Sequence, residues 1–371
     1  MNPARVLHVI DSLHLGGAQE VILNIVKGAN RSRFQHEVAT MHGQGVYWDR
    51  LEKEGIPLHS LSPQKLIPLY VPRLAALLHR ERFDILHCHL VAANILGKPI
   101  GKWCGVPVRI NHDHTNDPSR GEHSWLLALE TWANRASSHV VAVSESCRDF
   151  LISREHIQPS DVSLIRNAID LSRFSPSSVD RYSARADFGI PLDVPLVVGV
   201  GRLNPQKNFL LFLEIAALVR KACPRARFLI AGTGPEEYEL RAKAASMGIA
   251  DSVVLAGYVA DARRVYAAAD ILLMPSQFEG LPMTLLESMA MKTPVVASRL
   301  DGMAEVIEDG RDGFLVAPGN AVGFSDRVLS LIHDPEQATS IGSEARKKVE
   351  REFSSSRMVA EIEAVYERLL P

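Results

Sequence analysis

The chain has 371 residues, more than one ordinary hydrophobic core accommodates and enough for two domains of typical size. Its 41 Lys and Arg against 43 Asp and Glu give a formal net charge of −2, so no bulk basic field gathers nucleic acid, and none is expected as a partner. Cys88, Cys104, Cys147 and Cys223 lack CxxC spacing and read as reduced thiols, and no apolar run approaches the length of a membrane span. The expected location is therefore the cytoplasm, with at most a peripheral contact on the inner membrane face.

Residues 5–11 form a predicted first strand, followed by a loop with Gly16 and Gly17 and an amphipathic helix. The paired glycines allow close backbone approach to a ligand at a helix start, or simply make the turn. Further strands are predicted at 36–40, 57–60, 85–89, 106–112 and 140–144, with helical spacing between them. Such alternation implies an α/β fold with a parallel, doubly wound sheet, whose ligands gather at the carboxyl ends of the strands.

His87, His89, His112 and His114 fall at such ends, and every histidine except His333 lies at or before His156. The first half is accordingly expected to change charge near pH 6–7. The two His-x-His pairs could hold a metal for a hydrolase, with Asp113 or Asp117 assisting. No residue in the sequence identifies itself as the further ligand, so no metal is expected. Residues 66–71, the nearby Arg73, Arg80 and Arg82, and Trp125 and Trp132, seven apart on one helical face, fit either core packing or contact with an anionic lipid surface.

Residues 162–170 read as the last strand of a first domain, and serine- and proline-rich residues 173–178 place a boundary near 172, with regular βα alternation resuming at Val194. The strand 196–203 ends in Arg202. Lys207 stands five residues on across a loop, so both cations can converge on one anion. Asn204 occupies the place of the third glycine of a dinucleotide fingerprint begun by Gly199 and Gly201, which weakens an NAD reading. Gly232 follows the strand 228–231 and either lines a nucleotide site or merely connects, and Tyr258 and Val259 close the strand 253–259. The apolar strand 271–274 then runs into a loop with Glu279 and a helix over 281–291 carrying Glu287. Backbone N–H groups around Gly280, Leu281, Pro282 and Met283, at the positive end of that helix, suit a phosphate.

Phe278-Glu279-Gly280-x-Pro282-x-x-x-x-Glu287 resembles the signature of the retaining family-4 glycosyltransferases of the GT-B fold. The Gly16-Gly17-Ala18-Gln19 loop is similar to that family's Gly-Gly-Ala-Glu loop, with Gln19 for glutamate. Arg166-Asn167-Ala168-Ile169-Asp170 and Phe174 resemble its linker, with Ala168 for glycine, and Arg202 and Lys207 resemble its diphosphate clamp. The resemblance covers nearly the whole chain. It implies two doubly wound Rossmann-like domains facing across a cleft: 1–172 on the acceptor side, 173–353 binding the nucleotide-sugar, and a helix at 354–371 crossing back to the first.

The same resemblance implies transfer, with retention, from a nucleotide-diphosphate-sugar to a sugar or lipid-linked hydroxyl acceptor in polysaccharide or glycolipid synthesis. It needs no metal or other cofactor. Glu279 would lie by the sugar and Glu287 on the ribose, with Gly16 and Gly17 facing the donor phosphates. The backbone near Tyr258 and Val259 would read the base. A histidine after the fifth strand, taken as His112 with His114 as the other candidate, would meet the sugar or acceptor. An epimerase or non-catalytic nucleotide-sugar binder of the same fold, and the metal-dependent hydrolase, are the alternatives.

Overall fold

The first half forms seven strands, of which β1, β2, β4 and β5 interleave aliphatic residues with histidines: β1 Ala4–Ile10, β2 Phe34–Thr40, β3 Leu58–Ser60, β4 Ile85–His89, β5 Val108–Asp113, β6 His139–Ala142 and β7 Val162–Leu164. The second half adds β8 Leu196–Val200, β9 Arg227–Ala231, β10 Val253–Gly257, β11 Ile271–Met274, β12 Val295–Ser298 and β13 Phe314–Val316. The computed structural model describes residues 2–14, 16–62, 67–114 and 124–371, without the side chains of 67, 68 and 124. Leu66 and Asp117 lie outside the described residues.

All strand pairings within the two sheets are parallel, in the orders β3-β2-β1-β4-β5-β6-β7 and β10-β9-β8-β11-β12-β13. Helices cover both faces, which is why the strands of the second sheet, such as β8, β11 and β13, are apolar almost throughout rather than alternating with polar residues. On β1, Leu7 and Val9 pack with Leu74, Leu78 and Ile100 on one side, and Ile10 packs with Ile22, Val26 and Leu51 on the other. The second sheet buries Val197, Phe228, Ile230 and Leu273 against Phe212, Ile215 and Phe324.

The chain divides into two units, Met1–Ala168 with Ser355–Pro371, and Ile169–Ser354. The C-terminal helix Ser355–Leu369 thus belongs with the amino-terminal sheet. Glu363 accepts from the Asn30 amide at 2.7 Å, and Tyr366 is fully buried.

The predicted strand 162–170 is shorter in the structure. Only Val162–Leu164 pairs in the sheet, and Ile169 instead donates to Phe353 O at 2.9 Å. Regular structure also resumes before Val194, with the helix Arg181–Asp187. Its seven residues are too few to show a period, but Asp180 caps it by accepting from Ser183 N, and the buried Arg185 fixes it. That guanidinium donates to Ala268 O, Pro191 O, Leu192 O and Val194 O and pairs with Asp270 at 2.7 Å.

Candidate active site

In each sheet the strand order reverses once, between β1 and β4 and between β8 and β11. Ligands of open parallel sheets bind outside the carboxyl ends of strands at such a reversal. The loop after β8 carries Arg202, Gln206 and Lys207, and the loop after β11 carries Glu279 and Gly280, so both flank the reversal of the second sheet. There the structure joins them. Lys207 Nζ donates to Glu279 Oε1 at 2.5 Å, with side chains 16% and 5% exposed, and Gln206 Nε2 donates to Phe278 O at 3.2 Å. The Gln277 amide closes the contact on Gln206 O at 2.8 Å.

Two glycines make this packing possible. A Cβ at Gly232 would overlap the carbonyl oxygen of Gly201, and one at Gly302 would overlap that of Gly280. The loops after β8 and β9 therefore touch backbone to backbone, as do the loop after β11 and the helix Asp301–Ala304.

Lys207 is thus not a free cation beside Arg202. It is held by the carboxylate read as serving the sugar, while Arg202 is exposed and in no ion pair among the described residues. Glu287 lies on the helix Met283–Ala290 and accepts from Tyr266 Oη at 2.7 Å. Burial, and then the Glu287 carboxylate, push the Tyr266 phenol well above its usual pKa, so it acts as a neutral donor. The helix start is corrected in one respect: Pro282 is the N-cap and has no N–H, so it contributes conformation rather than a donor. Tyr258 is exposed and Val259 half-buried, just past β10.

In the amino-terminal unit Gly16 and Gly17 are exposed at the start of the helix Gly17–Gly28. Gln19 turns inward, its amide donating to Ser12 O at 2.9 Å, which fixes the loop instead of facing a ligand. Glu20 is likewise engaged, by Tyr47 Oη at 2.6 Å and Arg50 at 2.7 Å.

The histidines hold the largest departure from expectation. His8, His36, His87, His89, His112 and His114 form one array of neighbouring rings, with centroids 4.2–5.3 Å apart. The ligand count that argued against a metal is therefore corrected, because β1 and β2 bring His8 and His36 to the two His-x-His pairs. For these six rings the expected titration near pH 6–7 is corrected as well. Burial, followed by neighbouring imidazoles, holds His8, His87, His89 and His112 well below the usual histidine pKa, and burial brings His36 and His114 down to about 4. His112 is enclosed, with neither ring nitrogen partnered among the described residues, whereas His114 is half-buried.

Core packing of the tryptophans is also not what the structure has. Trp125 and Trp132 are 64% and 53% exposed, with the exposed Leu129 between them on the helix Ser124–Asn134. Leu69 and Val71 are exposed too, while Arg73 turns back to donate to Leu61 O at 3.0 Å. Among the described residues no helix is long and apolar enough to cross a membrane.

Sequence reasoning missed Tyr266 and Gln206. Nothing in a helical tyrosine 21 positions before Glu287 announces the contact, and Gln206 was legible only as a neighbour of Lys207.

Two doubly wound units with parallel sheets, the second with two joined loops at the reversal of its strand order, have the architecture of the GT-B fold. Residues 15–173 match the model of Glycosyltransferase Family 4 and residues 180–348 that of Glycosyl transferases group 1, and the chain belongs to this family. It is 26% identical over 310 residues to an Escherichia coli UDP-Gal:alpha-D-GlcNAc-diphosphoundecaprenol alpha-1,3-galactosyltransferase, covering 82% of this chain and 79% of that one. It is 29% identical over 309 residues to D-inositol 3-phosphate glycosyltransferase 2 of Catenulispora acidiphila, covering 77% and 71%. Anabaena HepE in complex with UDP-glucose superposes with a TM-score of 0.88 at 22% identity, covering 98% of this chain and 99% of that one, which supports the fold.

Proposed function

We propose that the chain transfers a hexosyl group from a nucleoside-diphosphate sugar, UDP-linked as in the names of its relatives, to a hydroxyl acceptor with retention and without a metal. The observation that carries this reading is the Lys207–Glu279 contact at the β8/β11 reversal, which puts a cation for a departing diphosphate beside a carboxylate for the sugar. Arg202 is the second cation, and the helix start at Gly280, Leu281 and Met283 faces the phosphates. Glu287, steadied by Tyr266, takes the ribose hydroxyls, and Gly232, Tyr258 and Val259 line the nucleotide. In the amino-terminal unit Gly16 and Gly17 are assigned to the donor phosphates, and a histidine at or just past the end of β5, His112 or the more exposed His114, to the sugar or the acceptor.

Retaining glycosidases use two carboxylates about 5 Å apart, one of them a nucleophile. With Glu287 committed to the ribose, we infer attack from the leaving-group face. The acceptor hydroxyl proton passes to a donor phosphate oxygen while the C1–O bond to the diphosphate breaks and the new C1–O bond forms. The acceptor is a sugar or lipid-linked hydroxyl in polysaccharide or glycolipid assembly. The exposed Trp125, Leu129 and Trp132 support peripheral contact with the inner membrane face.

A panel of nucleoside-diphosphate sugars with and without lipid-linked acceptor, analysed by NMR for anomeric configuration, tests the reading. An altered sugar formed without acceptor would make the chain an epimerase, and an inverted linkage would refute retention.

A further inference from the structure

Replacing aliphatic side chains on one face of β1 and β4 with imidazoles is costly unless each ring nitrogen finds a partner. His8 pairs with His87 across the ladder of these strands and His89 lies two residues on, so all three share that face. One ring nitrogen of each lies within 4.8 Å of the other two, and all three side chains are fully enclosed.

The second nitrogen of each ring is engaged. His87 Nδ1 lies 2.6 Å from Tyr366 Oη, His8 Nε2 lies 2.8 Å from His36 Nδ1, and His89 Nδ1 lies 3.0 Å from His114 Nε2. What remains is His8 Nδ1 and His89 Nε2, 3.0 Å apart, and His87 Nε2, which has no partner among the described residues. One N–H···N bond accounts for the first two and leaves the third orphaned, a cost that native interiors meet with an ordered water or an ion. Three nitrogens around an ion at about 2.0–2.1 Å in tetrahedral geometry stand roughly 3.3 Å apart, close to the 3.0 Å between His8 Nδ1 and His89 Nε2 and inside the 4.8 Å that bounds the set.

The geometry points to a site for one late first-row transition-metal ion, Zn2+ being the probe of choice, held by His8, His87 and His89. A ligand set of imidazoles alone suits such ions and not Mg2+ or Ca2+, which take oxygen. Ligating histidines characteristically have their other nitrogen hydrogen-bonded, and Tyr366, His36 and His114 do this here. His89, His112 and His114 form a second convergent set, but His112 has no partner at either nitrogen to orient its ring. The ion ties the C-terminal helix to the sheet through Tyr366 and His87 and takes no part in glycosyl transfer. Because the donors are enclosed, it enters as the chain folds.

Metal content is measured on the full chain purified from cells grown with added Zn2+. The chain is also unfolded in denaturant with chelator and refolded with Co2+, whose nitrogen-ligated form absorbs in the visible. About one equivalent of metal is expected in both preparations, with none in His87→Gln, an unchanged content in His112→Gln, and no response to Mg2+. Tyr366→Phe keeps all three ligands and should weaken Co2+ binding roughly 10–100-fold. It decides the matter if His87→Gln does not fold, and the native preparation decides it if refolding fails. No transition metal in the native protein, a Co2+ signal that survives His87→Gln, or unaltered affinity in Tyr366→Phe would overturn the site.

Discussion

Glu279→Gln is the most informative single change, because Glu279 holds Lys207 while the proposed reaction needs Lys207 on the diphosphate. The pair is 2.5 Å apart and nearly enclosed. A hydrogen bond to a charged group contributes about 1.5–3 kcal/mol net, and the amide keeps an acceptor, so about 1–2 kcal/mol of stability should be lost. For a unit of this size that lowers the melting temperature by about 2–8 °C. Binding of UDP should move the opposite way. Lys207 no longer has to leave a carboxylate, and a gain of up to about 1.4 kcal/mol tightens UDP by up to tenfold. UMP, which lacks the leaving phosphate, should bind as before, and turnover should fall because the sugar loses its carboxylate in the transition state. Calorimetry with UDP and UMP on wild type, Glu279→Gln and the double variant Glu279→Gln with Lys207→Met makes the comparison, the double variant removing the gain. UDP binding that is no tighter in a folded Glu279→Gln protein, or UMP tightened equally, would refute the competition.

Tyr266→Phe removes the hydroxyl that steadies Glu287 and should raise the donor KM several-fold with kcat little changed, at a stability loss of about 1 kcal/mol; an unchanged KM would detach Glu287 from the donor. Turnover should survive excess chelator, and a loss restored by added Mn2+ would overturn metal-independent transfer. Burial, and then Arg368, lower the His139 pKa to about 4, so the unfolded chain binds the extra proton between pH 6.5 and 4. The stability this neutral ring contributes is present above pH 6.5 and lost as pH falls toward 4, and His139→Gln should flatten that part of the urea-denaturation profile. Vesicles with anionic lipid should sediment the protein, less so after Trp125→Ser with Trp132→Ser, and equal sedimentation of both would leave those side chains without a lipid role.

The apolar strand β11 has the bounds its sequence announces, and so does β4 although two of its five residues are histidines. The helix Arg181–Asp187 was illegible because the residue that fixes it, Arg185, makes its partners with backbone carbonyls and an aspartate 85 positions away. Glu279 and Glu287 stand out in the sequence by their spacing, whereas the contacts that hold them, to Lys207 and Tyr266, are made only when loops and helices from separate stretches of the chain meet. For the histidines the sequence reveals two-residue spacing along β4 and near the end of β5. It cannot reveal that β1 sits between β2 and β4 and carries a further imidazole into the same row.

The C-terminal helix has a consequence for the order of events during synthesis. Tyr366 reaches His87 across 279 positions of chain, and the whole Ile169–Ser354 unit is made between them. That unit is contiguous and can fold while its last residues are still emerging from the ribosome. The amino-terminal sheet, made first, keeps the face that Tyr366 covers open until the final turn of helix leaves the exit tunnel. The earlier half of the protein is thus the later to be completed. Chains that end before Ser355 should form a sound second unit and an aggregation-prone first one, distinguishable by limited proteolysis of the two halves.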